Sequence, residues 1–459
     1  MVMAKSDAIV FFGASGDLAY KKIFPALQAM ARRGHLDLPV VGVARSEWSL
    51  EQFRNRAHES LVKHGDLDTQ AFAKLSGLLR YISGDYRDRA TFERLRGELG
   101  DAERPLYYLA IPPSMFPTVI EGLAKCDCLR NNTRVVVEKP FGRDLASAQS
   151  LNRMLRTHFP EQAIFRIDHY LGKEPVQNLI YFRFANPFFD AGWNRRHIER
   201  VQVTMAEQFG VAGRGRFYEE AGAIRDVVQN HMLMVIASLA MEDPAGNDHE
   251  SIRDERAKVL KALRPLNPSD VVRGQFRGYR REAGVASDSQ VETFAALRFH
   301  IDNDRWAGVP FYVRVGKCLP VTATEVLVEF KGPSCPVLDD TESPLPNHFR
   351  FRLSPDVLIA LGTNAKVPGE AMMGERIELI ARHCSGDEMD PYERLLGDAA
   401  KGDPTLFVRE DGVEAAWRVV EPILGTAAPL YEYDPNSWGP KEAGRLIGNG
   451  GWHSPQAEA

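Results

Sequence analysis

The densest group of reactive side chains is the nine-residue stretch Arg166-Ile167-Asp168-His169-Tyr170-Leu171-Gly172-Lys173-Glu174. A carboxylate, an imidazole, a phenol and an ammonium fall within it, with a glycine that lets the backbone turn. Asp beside His suits proton transfer, because imidazole titrates near neutral pH and a carboxylate steadies its charged form. The β-branched and aromatic run from Ala163 to Ile167 reads as a strand, and Lys173 to Phe184 reads as a helix. Asp168 and His169 then stand at the carboxyl end of a strand, the edge at which open α/β sheets bind ligands. The first turn of the following helix offers N–H groups to an anion, and Lys173 adds a full positive charge. A phosphate and a proton-transfer centre can share such a place, the plainer alternative being a loop with an ion pair.

Three further stretches carry chemistry. Ala8 to Phe12 is a continuous apolar run, as a buried parallel strand requires, and it ends in Gly13-Ala14-Ser15-Gly16-Asp17-Leu18-Ala19 before a helix stopped by Gly34. Strand, glycine turn and helix in that order bring Gly13, Ser15, Gly16, Asp17 and Leu18 against a dinucleotide pyrophosphate. The second strand, Val40 to Ala44, ends in Arg45, where an acid would bind the ribose hydroxyls of NAD and an arginine accommodates the 2′-phosphate of NADP. NADP is therefore the expected cofactor, with NAD as a weaker alternative. Glu138-Lys139-Pro140 closes another strand and puts Lys139 on the same edge, facing a substrate hydroxyl or the nicotinamide. Finally, Arg225-Asp226-Val227-Val228-Gln229-Asn230-His231 sets Asp226 and His231 in an otherwise apolar helix, where buried polar groups must find partners.

The elements that must position these groups change character along the chain. In the first third, strands at Val40 to Ala44, Leu79 to Ile82, Pro105 to Ile111 and Arg134 to Val137 alternate with helices at Arg89 to Leu99 and Phe116 to Lys125. With the first strand and the one before Asp168 they predict a doubly wound Rossmann domain over residues 1–170. Beyond it, strand-like runs at Arg200 to Met205, Val271 to Tyr279, Thr293 to Ile301, Phe311 to Val315, Glu325 to Phe330, Phe349 to Leu353, Val357 to Gly362 and Ile377 to Ala381 have few helices between the later ones. They predict an α+β domain over 171–459 with a large, mainly antiparallel sheet. Helices are expected at Ala221 to Met241, Arg253 to Leu263, Pro391 to Gly397, Pro404 to Arg409 and Val413 to Leu424, and the tail from Trp452 to Ala459 is expected to fray. A sheet face left uncovered calls for a partner, hence a homodimer or a dimer of dimers.

Composition bounds the class. At 459 residues the chain is too long for one ordinary core. A net charge of −5 with both signs interspersed gives no basic footprint for nucleic acid, and no apolar run is long enough to span a bilayer. Without a signal-like segment before the first strand, a cytoplasmic location is expected. Cys126, Cys128, Cys318, Cys335 and Cys384 are scattered and odd in number, so they are read as reduced and structural, and no metal site is expected.

The run from Arg166 to Glu174 resembles the active-site signature of the glucose-6-phosphate dehydrogenases. The resemblance extends in the family's order to Gly13-Ala14-Ser15-Gly16-Asp17-Leu18-Ala19, Ala44-Arg45-Ser46, Glu138-Lys139-Pro140-Phe141-Gly142, Arg225 to His231 and Ser437-Trp438-Gly439-Pro440. It implies oxidation of C1 of glucose 6-phosphate to the lactone with hydride transfer to NADP, the entrance to the oxidative pentose phosphate pathway. By the same resemblance His231 is the general base and Asp168 the carboxylate that orients it, while His169, Tyr170 and Lys173 hold the phosphate and nearby hydroxyls. Lys22, Lys139, Glu207, Asp226 and Lys317 match positions lining the sugar or the cofactor junction. The chain departs from the family at Thr322, where a second basic residue usually follows Lys317, and at Ser354, where a glutamine is usual. Those departures predict weaker affinity for the phosphorylated sugar or broader sugar acceptance. The basic cluster of a second, structural nucleotide is not recognisable around Ala323 and Asn364, so none is expected. Two other readings compete: an oxidoreductase of the glucose-fructose oxidoreductase type, which lacks the contiguous Asp-His-Tyr-Leu-Gly-Lys block, and a non-catalytic sugar-phosphate sensor, which needs no base.

Overall fold

Residues 4–130, 132–246, 248–332, 346–369, 374–382, 388–448 and 450–456 are described in the structure, a computed structural model. Two compact units result. The first holds Met1–Glu174, Pro244–Asp254 and Glu388–Glu414, the second Pro175–Asp243, Glu255–Asp387 and Ala415–Ala459. A contiguous division at residue 170 leaves out 244–254 and 388–414, segments that no shift in composition marks. Cys335 and Cys384 lie outside the described residues.

The first unit is built on six parallel strands: β1 (Ala8–Phe12), β2 (Val40–Ala44), β3 (Leu79–Ser83), β4 (Pro105–Leu109), β5 (Arg134–Glu138) and β6 (Ile164–Ile167). Their order is β3-β2-β1-β4-β5-β6, so the winding reverses between β1 and β4. At such a switch point the loops after neighbouring strands part and leave room for a ligand. Every residue of β1, β2 and β4 is buried, which is why these strands read as unbroken apolar runs. Helices Leu50–His64 and Leu145–His158, which the apolar pattern left unassigned, begin in capping boxes at Ser49/Gln52 and Asp144/Ser147. The later segment is tied in by Ser6 N–H to Ala400 O at 2.7 Å and by Arg134, whose guanidinium donates to Ala4 O, Ser6 Oγ and Ala400 O. Residues Pro404 to Arg409 are not the expected helix. Asp403 holds the Thr405 N–H and hydroxyl in a turn, and Val408 bridges to Arg166 beside β6, so a strand-like contact overrides local helix preference.

The second unit carries one sheet of nine strands, ordered β14-β13-β12-β11-β7-β10-β9-β8-β15. They are β7 (Ile198–Ala206), β8 (Val271–Phe276), β9 (Phe294–His300), β10 (Pro310–Gly316), β11 (Ala323–Phe330), β12 (His348–Ser354), β13 (Leu358–Lys366), β14 (Gly374–Arg382) and β15 (Leu430–Tyr433). All pairings are antiparallel except β7 with β10 and β8 with β15, so the sheet is mixed and mostly antiparallel. β15 was not expected; it is four residues long and ends a stretch rich in turn formers. The single helix expected from Ala221 to Met241 is divided into Gly215–Ala223, a π-helical segment Ile224–Met232 and Leu233–Ala240. From Trp452 to Gln456 the tail does not fray. Arg314 donates to His453 O at 2.7 Å, Arg352 to Gln456 O at 3.0 Å, Trp452 Nε1 to Ala443 O at 3.0 Å, and Gln202 accepts the His453 N–H at 2.9 Å.

Candidate active site

The first unit places the glycine turn at its switch point. Gly13 adopts φ +82°, and a Cβ there would stand 2.1 Å from Ala110 O, just beyond β4. Only glycine fits this approach of two strand ends. The turn is pinned by Gly16 N–H to Gly13 O at 2.9 Å and by Gly13 N–H to Tyr86 Oη at 2.8 Å. A π-helical turn, Ala19–Ile23, then leads into the helix Phe24–Arg32. Ser15, Gly16, Asp17 and Leu18 occupy the bend between β1 and that turn, and Asp17 pairs with Lys21 at 2.8 Å. This close-packed glycine bend fits a dinucleotide pyrophosphate, which needs backbone rather than side chains at its surface. Arg45 follows β2 with its side chain about half exposed, held by Asp85 at 3.0 Å. Asp85 is kept below the usual carboxylate range by the Arg87 N–H and by Arg45. Tyr86 and Asp85, from the loop after β3, were missed by the sequence reading, although Gly84-Asp85-Tyr86 is a recognisable turn at a strand end.

At the ends of β5 and β6 the same unit gathers its ionisable groups. Asp168 is fully buried, and burial pushes its carboxyl up while His169, Lys139, the Tyr170 N–H and Lys173 pull it down. The Tyr170 N–H donates to Asp168 Oδ1 at 3.0 Å and the Leu171 N–H to its carbonyl at 3.0 Å, a tight turn that fixes the carboxylate. Lys173 lies over the Tyr170 ring, 4.1 Å from its centre, and His169 stacks on Tyr392 at 6.2 Å. Lys22 stands over that same ring at 5.7 Å and reaches Asp390 at 4.0 Å. Gly172 passes close under Leu395, where a Cβ would meet the side chain at 3.0 Å. Thus Lys22, Lys139, Asp168, His169, Tyr170 and Lys173 form one neighbourhood, and Tyr392 is an unforeseen member. Its signal was present: Asp390 caps the helix starting at Pro391, accepting the Tyr392 N–H at 2.8 Å.

The second unit gathers polar groups of its own. Glu207, just past β7, and Lys317, just past β10, pair at 2.6 Å because those two strands run parallel and in register. Lys317 lies 4.7 Å from the Phe209 ring centre and 5.6 Å from that of Tyr218. Tyr218 is pushed well above the ordinary phenol value by burial, with the charges of Asp226 and Glu207 adding to the effect. Asp226 and His231 both ride the π-helical segment, His231 buried and Asp226 half-buried. The wider winding of a π segment turns side chains off the regular helical spacing, and such segments recur at functional sites. Gly222 sets its start: with φ +65° it brings the Ile224 N–H to Glu292 Oε1 at 3.1 Å. Thr322 accepts the Gln208 N–H at 3.0 Å, so the threonine at this departure from the expected pattern ties down the loop beside Glu207. Ser354 ends β12, opposite Thr324.

Family models cover both halves of the chain: one described as glucose-6-phosphate dehydrogenase, NAD binding domain, matches residues 10–178, and one described as its C-terminal domain matches 180–453. Glucose-6-phosphate 1-dehydrogenase 1 of Mycobacterium tuberculosis (strain ATCC 25618 / H37Rv) is 44% identical over 452 residues, covering 98% of this chain and 97% of that protein. The crystal structure of glucose-6-phosphate 1-dehydrogenase from Mycobacterium avium is similar with a TM-score of 0.93 and 43% identity over 99% of this chain and all of the other. A glucose-6-phosphate dehydrogenase in complex with its substrate glucose-6-phosphate is similar with a TM-score of 0.91 and 36% identity, again over 99% of this chain. Among the described residues no helix is long and apolar enough to cross a membrane.

Proposed function

The chain belongs to the glucose-6-phosphate dehydrogenase family, and from that premise we propose that it oxidises C1 of glucose 6-phosphate to 6-phosphoglucono-lactone with NADP. This is the first step of the oxidative pentose phosphate pathway. The observation that carries the reading is full-length similarity to named enzymes of that activity, 44% identical across both units. The glycine bend from Gly13 to Leu18 holds the dinucleotide, and Arg45 meets its 2′-phosphate. Nicotinamide, when bound there, accepts the hydride that leaves C1.

The chain's own side chains do the rest. His231 takes the proton of the C1 hydroxyl as the carbonyl of the lactone forms, and Asp168 steadies the resulting imidazolium. Lys173, with His169 and Tyr170, holds the phosphate, so that binding energy from the far end of the sugar fixes C1 in place. Lys22, Lys139, Glu207, Asp226 and Lys317 hold the hydroxyls and the junction with the cofactor. The reading extends to a cytoplasmic homodimer or dimer of dimers.

His231→Asn tests the assignment. A general base contributes about a hundred- to ten-thousand-fold, so turnover should fall by that factor while NADP and glucose 6-phosphate still bind. Near-normal turnover in the variant removes His231 from the role.

A further inference from the structure

Behind Lys139 and Asp168 the first unit holds a carboxyl and a phenol to which no role has yet been given. Tyr108, fully buried on β4, donates its hydroxyl to Glu138 Oε1 at the end of β5. The neighbouring strands are paired one residue away, Leu109 with Val137, so the two side chains rise from the same sheet edge. The Lys139 charge and backbone N–H, next along the chain, both favour the ionised form of this carboxyl. Asp168, which follows β6, and Tyr392, from the helix Pro391–Lys401, also interact electrostatically with it.

We propose that Glu138 is a positioning residue for the oxidation, fixing the direction of Lys139 from a carboxylate clamped between the Tyr108 hydroxyl and the Lys139 N–H. The inference rests on the function proposed above and deepens it. An ionised carboxylate only accepts hydrogen bonds, so it can take both donors and still serve as countercharge to Lys139. Once protonated it loses an acceptor site and the countercharge together, and Lys139 is no longer held.

The carboxyl is poised to change state under working conditions. Burial is the first cause that pushes it up to about 7, with the Asp168 charge adding, while Tyr108 and Lys139 oppose the rise. Activity therefore depends on the ionised form and falls as the pH drops through that range. Removing the Tyr108 donor withdraws stabilisation from the ionised form, so it must move the titration upward.

The test is initial-rate NADP reduction by the full chain with varied glucose 6-phosphate, from about pH 5 to about pH 9, for the parent, Tyr108→Phe and Glu138→Gln. Tyr108→Phe keeps the buried ring and should shift the acid limb of kcat/KM upward by about half to one pH unit, the equivalent of one net hydrogen bond. Glu138→Gln should lose that component of the limb and raise the KM for glucose 6-phosphate by roughly tenfold, with NADP affinity retained. An acid limb unmoved in both variants overturns the proposal, as does a Glu138→Gln enzyme with the parent's KM and pH profile. A parent chain that reduces no NADP at any pH overturns the function itself, a different failure from an unmoved limb.

Discussion

In the function proposed above, Arg45 is the residue that decides between two dinucleotides differing by one phosphate. Its side chain stands half exposed after β2 with Asp85 holding it at 3.0 Å, so the guanidinium is placed before any ligand arrives. Arg45→Asp puts like charge against the 2′-phosphate, and the ratio of NADP to NAD efficiency should fall by at least tenfold in steady-state rates, since removing one charged hydrogen bond costs about 1.5–3 kcal/mol. Thr322 is the second informative residue, because its hydroxyl anchors the Gln208 N–H at the position where the family resemblance leads one to expect a basic residue. Thr322→Lys should lower the KM for glucose 6-phosphate several-fold and leave that for NADP unchanged. Residues in contiguous motifs, such as Asp168 to Lys173, could be grouped from the chain alone because their chemistry and spacing travel together, and the structure does bring them into one neighbourhood. Tyr108 could not, since a lone tyrosine inside an apolar strand has no motif to mark it; Tyr86 and Tyr392 sit beside a turn and a helix cap that the chain does signal, but nothing local says which distant element each one meets.

The two π-helical segments, Ala19–Ile23 and Ile224–Met232, carry Lys22 and the Asp226/His231 pair. Apolar periodicity predicted both as ordinary helix, because a single wide turn barely alters a pattern read over many residues. The second segment depends on Gly222, where a Cβ would lie 2.5 Å from Glu292 Oε1 and the backbone is left-handed. Gly222→Ala should lower stability by about 1–3 kcal/mol and depress kcat more than a surface glycine substitution does, as thermal melts and initial rates would show. The outer strands supply a pH-sensitive element. Glu378 on β14 is held down to about 2 by Arg350 first and by His348 on the same strand, β12. A carboxylate lowered in the fold adds stability that is complete above its ordinary value near 4.5 and lost as the pH falls through about 2. Glu378→Gln should therefore flatten the acid-unfolding profile in that window.

For the whole molecule, the order of strands in the first third was legible because parallel strands, buried on both faces, must be apolar throughout, whereas the polar-faced helices Leu50–His64 and Leu145–His158 were not. The division of the chain was less so: 244–254 and 388–414 belong to the first unit by contacts such as Ser6 with Ala400, which leave no local trace. In the second unit β14 is exposed along its length, with Ile377, Leu379 and Ile380 all open to solvent. An edge strand of that kind invites a partner. Sedimentation should find a dimer or a dimer of dimers, and Leu379→Lys should weaken it; a monomer at micromolar concentration would contradict the assembly. The central claim is tested most directly by following NADP reduction with glucose 6-phosphate and with unphosphorylated glucose side by side. The account predicts fast turnover of the phosphate ester and little of the free sugar, because Lys173, His169 and Tyr170 hold the phosphate without help from a base at Thr322. Equal use of both sugars, or turnover of neither, would contradict it.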